Sequence, residues 1–173
     1  MLIVGSGPIG LLALHAARFL GAEIEVLEPI RERRAIATRL GATKVHAEVS
    51  TIQNGSFDIA YDAVGIEPAW QAAIAAVRRG GRVTVIGLGS ERGVVPVGDL
   101  VRRAIVLRGQ YAYTRSDFVA ALTMLGESAV DLSWVRTMPL EAGLDAFTCL
   151  ADDPSRTVKV ILDVAVDSVS QGG

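Results

Sequence analysis

Cysteine is almost missing from this chain, with Cys149 the single example in 173 residues. That excludes a disulfide framework and any multi-cysteine metal site, and it fits a reducing, cytoplasmic compartment. Histidine occurs only twice, and aromatic residues make up 5%. No apolar run reaches the ~18–20 residues of a membrane span, because His15 and Arg18 interrupt the longest candidate. The first residues lack the basic stretch of a secretory signal. Charge of one sign is also lacking: 17 Lys+Arg against 19 Asp+Glu leave a net −2. Such a balance offers no patch for tracking nucleic acid or an anionic membrane. What the chain does have is a 50% hydrophobic fraction and 18 glycines. This is ample for a core, and the length fits one domain, or one and a fraction.

Short β-branched runs alternate with longer helical patterns, which predicts βαβ units and a parallel sheet. Strands are predicted at Leu2–Val4, Ile24–Leu27, Lys44–His46, Phe57–Asp62, Arg82–Ile86 and Ala104–Leu107. Helices are predicted over Ile9–Leu20, Arg31–Leu40 and Ala69–Val77, with Gly21 and Gly41 as stops for the first two and a turn at Gly80-Gly81. The expected fold is α/β, a doubly wound six-stranded parallel sheet with helices on both faces. A C-terminal α/β extension follows from Gly109. It has a helix at Asp117–Leu125 capped by Ser116, a strand at Trp134–Thr137, an amphipathic helix carrying Leu140, Leu144, Phe147 and Leu150 on one face, and a strand at Val158–Val164. The division expected is 1–109 for the sheet domain, 110–165 for the extension and 166–173 for a tail, with no repeat and no linker.

The strongest chemical signal is Gly5-Ser6-Gly7-Pro8-Ile9-Gly10, a G-x-G-x-x-G between a strand and a helix. Gly5 permits the tight turn, Gly7 admits a pyrophosphate to the backbone, and Gly10 allows close packing of helix and strand. The helix N-terminus offers N–H groups and positive dipole to phosphates. Glu28 ends the second strand, 18 residues after Gly10, where a carboxylate accepts from the adenosine ribose hydroxyls. A carboxylate there repels a 2′-phosphate, so NAD is favoured. Arg31, Arg33 and Arg34 follow closely and could take a 2′-phosphate, which keeps NADP open; otherwise they line a solvated helix face.

The stretch Leu2–Thr43, together with "FDIAYDAVG" at 57–65, "RRGGRVTVIGL" at 78–88 and "SRTVKVIL" at 155–162, resembles the medium-chain dehydrogenase/reductase family. The Gly-Pro-Ile-Gly form resembles its zinc-type alcohol and polyol dehydrogenases. That resemblance implies that Pro8 and Ile9 lie in the cofactor loop, Ile9 behind the nicotinamide. It implies Arg33 on the adenosine ribose, Ala63, Val64 and Gly65 along the adenosine side, Ile86, Gly87 and Leu88 along the nicotinamide, and Arg156 on the pyrophosphate. It also implies a homodimer joined through the sheet edge, for which Val94-Val95-Pro96-Val97 is the candidate segment. The family's N-terminal catalytic domain, with its zinc ligands and substrate pocket, has no counterpart in this sequence.

Two functions follow. In the first, the chain is the NAD(P)-binding part of a dehydrogenase that moves hydride between an alcohol and nicotinamide, inactive without the zinc domain. In the second, it is a stand-alone NAD-binding module or a subunit of a split enzyme. The first predicts that Trp134, Val135 and Phe147 are uncovered. No zinc site is expected from Cys149, His15 and His46, which are not spaced as one and read as structural. Asp58 and Asp62 share a strand face at a spacing of four, but the resemblance puts that strand beside the cofactor and argues against an acid/base pair. Asn54-Gly55-Ser56 reads as an Asn-Gly turn.

Overall fold

A computed structural model describes residues 1–127, 130–153 and 157–164. It contains two compact units, residues 1–131 and 132–173. The division falls after Asp131.

The first unit is a six-stranded parallel sheet with the order β3-β2-β1-β4-β5-β6. Its strands are β1 (Leu2–Val4), β2 (Glu25–Leu27), β3 (Lys44–His46), β4 (Phe57–Asp62), β5 (Val77–Val85) and β6 (Val106–Gly109). Between them run α1 (Pro8–Phe19), α2 (Arg31–Arg39), α3 (Glu67–Ala76) and α4 (Val97–Arg103). The strand order reverses at β1/β4. Right-handed crossovers therefore place α1 and α2 on one face and α3 and α4 on the other. Helices on both faces explain why Leu2, Ile3 and Val4 form an unbroken apolar run: none is more than 3% exposed. Leu2 and Val4 join Ala60, Ala73, Ile74, Val77 and Val83 in one core cluster. Truncating Ile74 to alanine in such a core costs ~2–5 kcal/mol.

Three local expectations are corrected. The candidate edge segment Val94–Val97 contains no strand: its first three residues are a loop running into α4, a helix that the Gly- and Pro-rich sequence around it concealed. Val95 in that loop packs against the core. The sixth strand starts at Val106 rather than Ala104, because Ala104 takes a left-handed conformation (φ 51°) that closes α4, and the Ile105 N–H bonds back to the Leu100 carbonyl. The fifth strand begins at Val77, and its pairing with β4 jumps from Phe57↔Val77 to Ile59↔Arg82. Gly80 (φ 71°) lies in the extra residues of that bulge.

Helix α5 (Arg115–Gly126) also belongs to the first unit. Its cap is Thr114, not Ser116. The Asp117 N–H donates to Thr114 Oγ1 at 3.2 Å and the Thr114 N–H donates to Asp117 Oδ2 at 2.8 Å, a reciprocal capping box. Ser116 Oγ instead lies 2.7 Å from Thr114 Oγ1.

The second unit pairs β7 (Val135–Pro139) in parallel with β8 (Lys159–Asp163), with α6 (Gly143–Asp152) between them. The predicted apolar helix face does not turn inward. Leu144 and Phe147 are exposed, Leu140 sits in a short 3-10 turn, and the small residue Ala146 is the buried one. Of the three residues expected to be uncovered, only Phe147 is exposed; Val135 is half-buried and Trp134 buried.

Candidate dinucleotide site

The carboxyl ends of β1, β2, β4 and β5 all open at the topological switch point. Here doubly wound sheets bind ligands. After β1, Gly5 turns the chain with φ 88° and its N–H donates to the Leu27 carbonyl at 2.8 Å, tying the loop to β2. A Cβ on Gly10 would lie 1.9 Å from the Gly5 carbonyl oxygen, so the first turn of α1 rests directly on the loop backbone. Around Gly7 there is no atom within 4 Å of the place a Cβ would occupy. Gly7 is also the N-cap of α1, with no side chain capping it and Pro8 in the first turn. Gly10 is thus fixed by packing and Gly7 by open space. A helix end left uncapped beside open space is a place for an anion.

Glu28 is 4% exposed, and its carboxylate is engaged from both sides. Oε2 accepts from the Ser6 N–H at 2.9 Å and from the Ser6 hydroxyl at 3.1 Å, while Oε1 accepts from the Ile30 N–H at 2.9 Å. Sequence reading missed Ser6, because the second position of the glycine motif carries no pattern of its own. Arg34 does not face solvent as an idle cation: Nη1 donates to the carbonyls of Glu28 and Pro29 at 2.8 and 2.7 Å. Arg33 is half-buried on the same helix, and Arg31 is exposed.

The turns after β4 and β5 lie against each other. Ser90 N–H donates to the Gly65 carbonyl at 2.7 Å and Gly89 N–H to that of Val64 at 3.1 Å. A Cβ on Gly65 (φ 77°) would meet the Gly87 backbone at 2.1 Å, and one on Gly87 would meet Gly65 N at 2.2 Å. Ala63, Val64 and Gly65 are thereby brought beside Ile86, Gly87 and Leu88. Asp62, fully buried, anchors this pair of turns. Its carboxylate accepts from the Val64 N–H at 3.0 Å and the Gly65 N–H at 3.0 Å, and its own carbonyl accepts from Ile86 and Gly87 N–H. Burial pushes the Asp62 carboxyl above the usual carboxylate range, and those two N–H bonds act against the shift. Asp58 is exposed and paired with Arg78 at 2.6 Å. The two aspartates therefore form no acid/base pair.

Ile9 is half exposed. It lines a cleft of about 540 Å³ with Leu12, Tyr61, Ile86, Tyr113 and Phe118. The Leu88 side chain is exposed. Arg156 lies outside the described residues.

Both histidines are buried in structural roles. His15 Nε2 lies 3.0 Å from the Asp131 carbonyl, and His46 bridges Glu25 Oε2 at 2.5 Å and Thr51 Oγ1 at 2.8 Å. Among the described residues no three His, Cys, Asp or Glu side chains converge to hold a metal ion, so the residues present do not fit a zinc site.

Comparison with known proteins converges on one family. Residues 8–127 match the family model described as "Zinc-binding dehydrogenase". Sorbitol dehydrogenase of Bos taurus is 29% identical over 161 residues, which are 85% of this chain and 45% of that protein. L-threonine 3-dehydrogenase of Streptomyces coelicolor is 33% identical over 174 residues, 94% of this chain and 51% of the relative. Among solved structures, alcohol dehydrogenase TADH from Thermus sp. ATN1 superposes with a TM-score of 0.83 at 27% identity, covering 94% of this chain and 50% of that one. Acetophenone reductase from Geotrichum candidum, solved in complex with NAD, shares the fold at a TM-score of 0.83 and 23% identity, covering 92% and 47%. The chain spans about half the length of the curated relatives it matches.

Proposed function

The chain belongs to the zinc-binding dehydrogenase family, and from that premise we propose that it forms the nicotinamide-dinucleotide-binding part of an alcohol or polyol dehydrogenase. One observation carries the reading. The open Gly7 position at the uncapped end of α1 lies beside Glu28, with the two interlocked turns 63–65 and 86–88 at the same end of the sheet. A ribose acceptor, a phosphate cradle and an apolar wall are the parts that an adenosine–pyrophosphate–nicotinamide ligand needs.

In this reading the first-turn N–H groups of α1 hold the pyrophosphate and the helix dipole adds to the attraction. Glu28 accepts from the adenosine ribose, and Arg33 borders the same ribose. Ala63, Val64 and Gly65 flank the adenosine side. Ile9 supports the nicotinamide ring from the cleft, with Ile86, Gly87 and Leu88 along its edge. The bound nicotinamide supplies the hydride acceptor, while this chain binds, orients and shields it. NAD is the preferred dinucleotide, because a 2′-phosphate would bring negative charge against Glu28 and Arg34 is occupied by two carbonyls. The single cysteine accords with a cytoplasmic protein.

A homodimer joined through the sheet is proposed at the β6 edge, since Val94–Val97 forms no strand and Val106 on β6 is exposed. Val106→Lys should shift a dimer toward monomer in sedimentation; unchanged assembly removes that edge from consideration.

The direct test is calorimetric titration of the chain with NAD. Saturable binding that disappears in Gly7→Val, with the circular dichroism spectrum retained, supports the reading. Equal binding by both proteins places the pyrophosphate elsewhere.

A further inference from the structure

Asp62 is the last residue of β4 and has no exposed surface, so its side chain meets no ligand itself. Its bonds run instead to the two turns at the proposed ends of the dinucleotide. Oδ1 accepts from the Val64 N–H at 3.0 Å and Oδ2 from the Gly65 N–H at 3.0 Å. The Asp62 carbonyl accepts from the Ile86 and Gly87 N–H groups at 2.9 and 3.1 Å. Gly65 carries the constraint onward, because its backbone lies against Gly87 with no room for a Cβ on either. A third donor to the carboxylate stands on α3: Trp70 Nε1 is buried, has no hydrogen-bond partner of its own, and favours the ionised form of Asp62. We infer that Asp62 is a positioning residue for the dinucleotide: its carboxylate sets the shape of turn 63–65, and through Gly65 that of turn 86–88. This rests on the dinucleotide reading above and adds to it what holds both walls of the site in place.

Burial opposes the charge on Asp62, while Val64, Gly65 and Trp70 support it, and among the described residues no charged side chain joins them. The neighbouring strands bring Leu2-Ile3-Val4 and Val83-Thr84-Val85 to its sides. Glu67, the one titratable group on α3, is taken up by the Val94 N–H and by Gln71. Protonation removes an acceptor from the N–H groups that shape the turns. NAD affinity should therefore fall as pH drops through the Asp62 value, which burial raises above the usual carboxylate range. Trp70→Phe keeps an aromatic ring on α3 and removes the N–H, so the carboxyl protonates at higher pH and the loss of affinity should move with it. Asp62→Asn keeps one oxygen acceptor, cannot titrate, and should bind NAD about threefold to tenfold more weakly than the parent at neutral pH.

The experiment titrates the parent chain, Trp70→Phe and Asp62→Asn with NAD by calorimetry from mildly acidic to neutral pH, over the range where circular dichroism shows each protein folded. The expected result is an acid step in affinity for the parent, the same step at higher pH in Trp70→Phe, and its absence in Asp62→Asn. If Asp62→Asn does not fold, the comparison of the parent with Trp70→Phe decides alone. A step at one pH in both of those proteins belongs to another group and overturns the role of Asp62. Undiminished NAD affinity in a folded Asp62→Asn at neutral pH does the same, as does an affinity that falls only where the spectrum shows unfolding. Each of these leaves the dinucleotide reading intact, since the parent binds NAD. A parent chain that binds no NAD at any pH removes both together.

Discussion

Gly10 rests on Gly5: a Cβ at Gly10 would stand 1.9 Å from the Gly5 carbonyl oxygen, a distance no side chain can occupy. The glycine motif therefore contains two different requirements, and they separate by experiment. Gly10→Ala should force α1 away from the loop, lowering stability by roughly 1–3 kcal/mol in a denaturant titration. A midpoint within error of the parent would show that the helix can shift freely.

Gly7 makes the opposite prediction. Its φ is −68° and its Cβ position is empty, so Gly7→Ala should cost about 1 kcal/mol or less in the same titration, the loss of a glycine N-cap. Affinity for NAD should nevertheless fall at least tenfold, because the methyl takes the space left for the phosphates. Equal losses of stability in Gly7→Ala and Gly10→Ala would contradict this division of labour.

Val95 reports on the loop before α4. It packs on the core cluster, so Val95→Lys should lower the thermal midpoint of the monomeric fold rather than only alter assembly. If the variant keeps its thermal midpoint, the loop does not pack as described.

The capping box at α5 gives a pH signature. Hydrogen bonds from the Thr114 N–H and hydroxyl hold the Asp117 carboxyl below its ordinary value near 3.8. A lowered folded-state value means that the stabilisation is complete above the unfolded value and is lost as pH falls through the folded one. In Thr114→Ala the N–H remains and the hydroxyl goes, so the carboxyl resonance of Asp117 should titrate part of the way back to its ordinary value. No movement would remove the hydroxyl from the cap.

Tyr61 should ionise late, because burial raises its phenol above the ordinary value of 10.0. A raised acid means that stability falls as pH climbs above 10.0, since the unfolded chain gives up that proton first. Ultraviolet titration should show a late phase that is absent in Tyr61→Phe. A single phase in both proteins would place Tyr61 in water.

The sequence by itself determined the sheet and the frame of the site. Leu2–Val4, Lys44–His46 and Phe57–Asp62 are strands with the bounds the sequence implies, and the alternation with helical patterns was enough for a six-stranded parallel sheet with helices. These are local properties, carried by neighbours in the chain. Likewise Gly5 and Gly10 announce a tight turn and close packing, because their missing side chains are visible in the sequence. What occupies the space they leave is a matter of distant residues. Only the tertiary structure decided that Ser6 fills half of Glu28, that Gly65 meets Gly87, and that Arg34 closes on two carbonyls. It also decided that Ala104 ends a helix that no periodicity revealed, and that Leu144 and Phe147 face outward. Hydrogen bonds and burial are set by which chain segments meet in space, and a periodic pattern says which side is apolar without saying what lies against it.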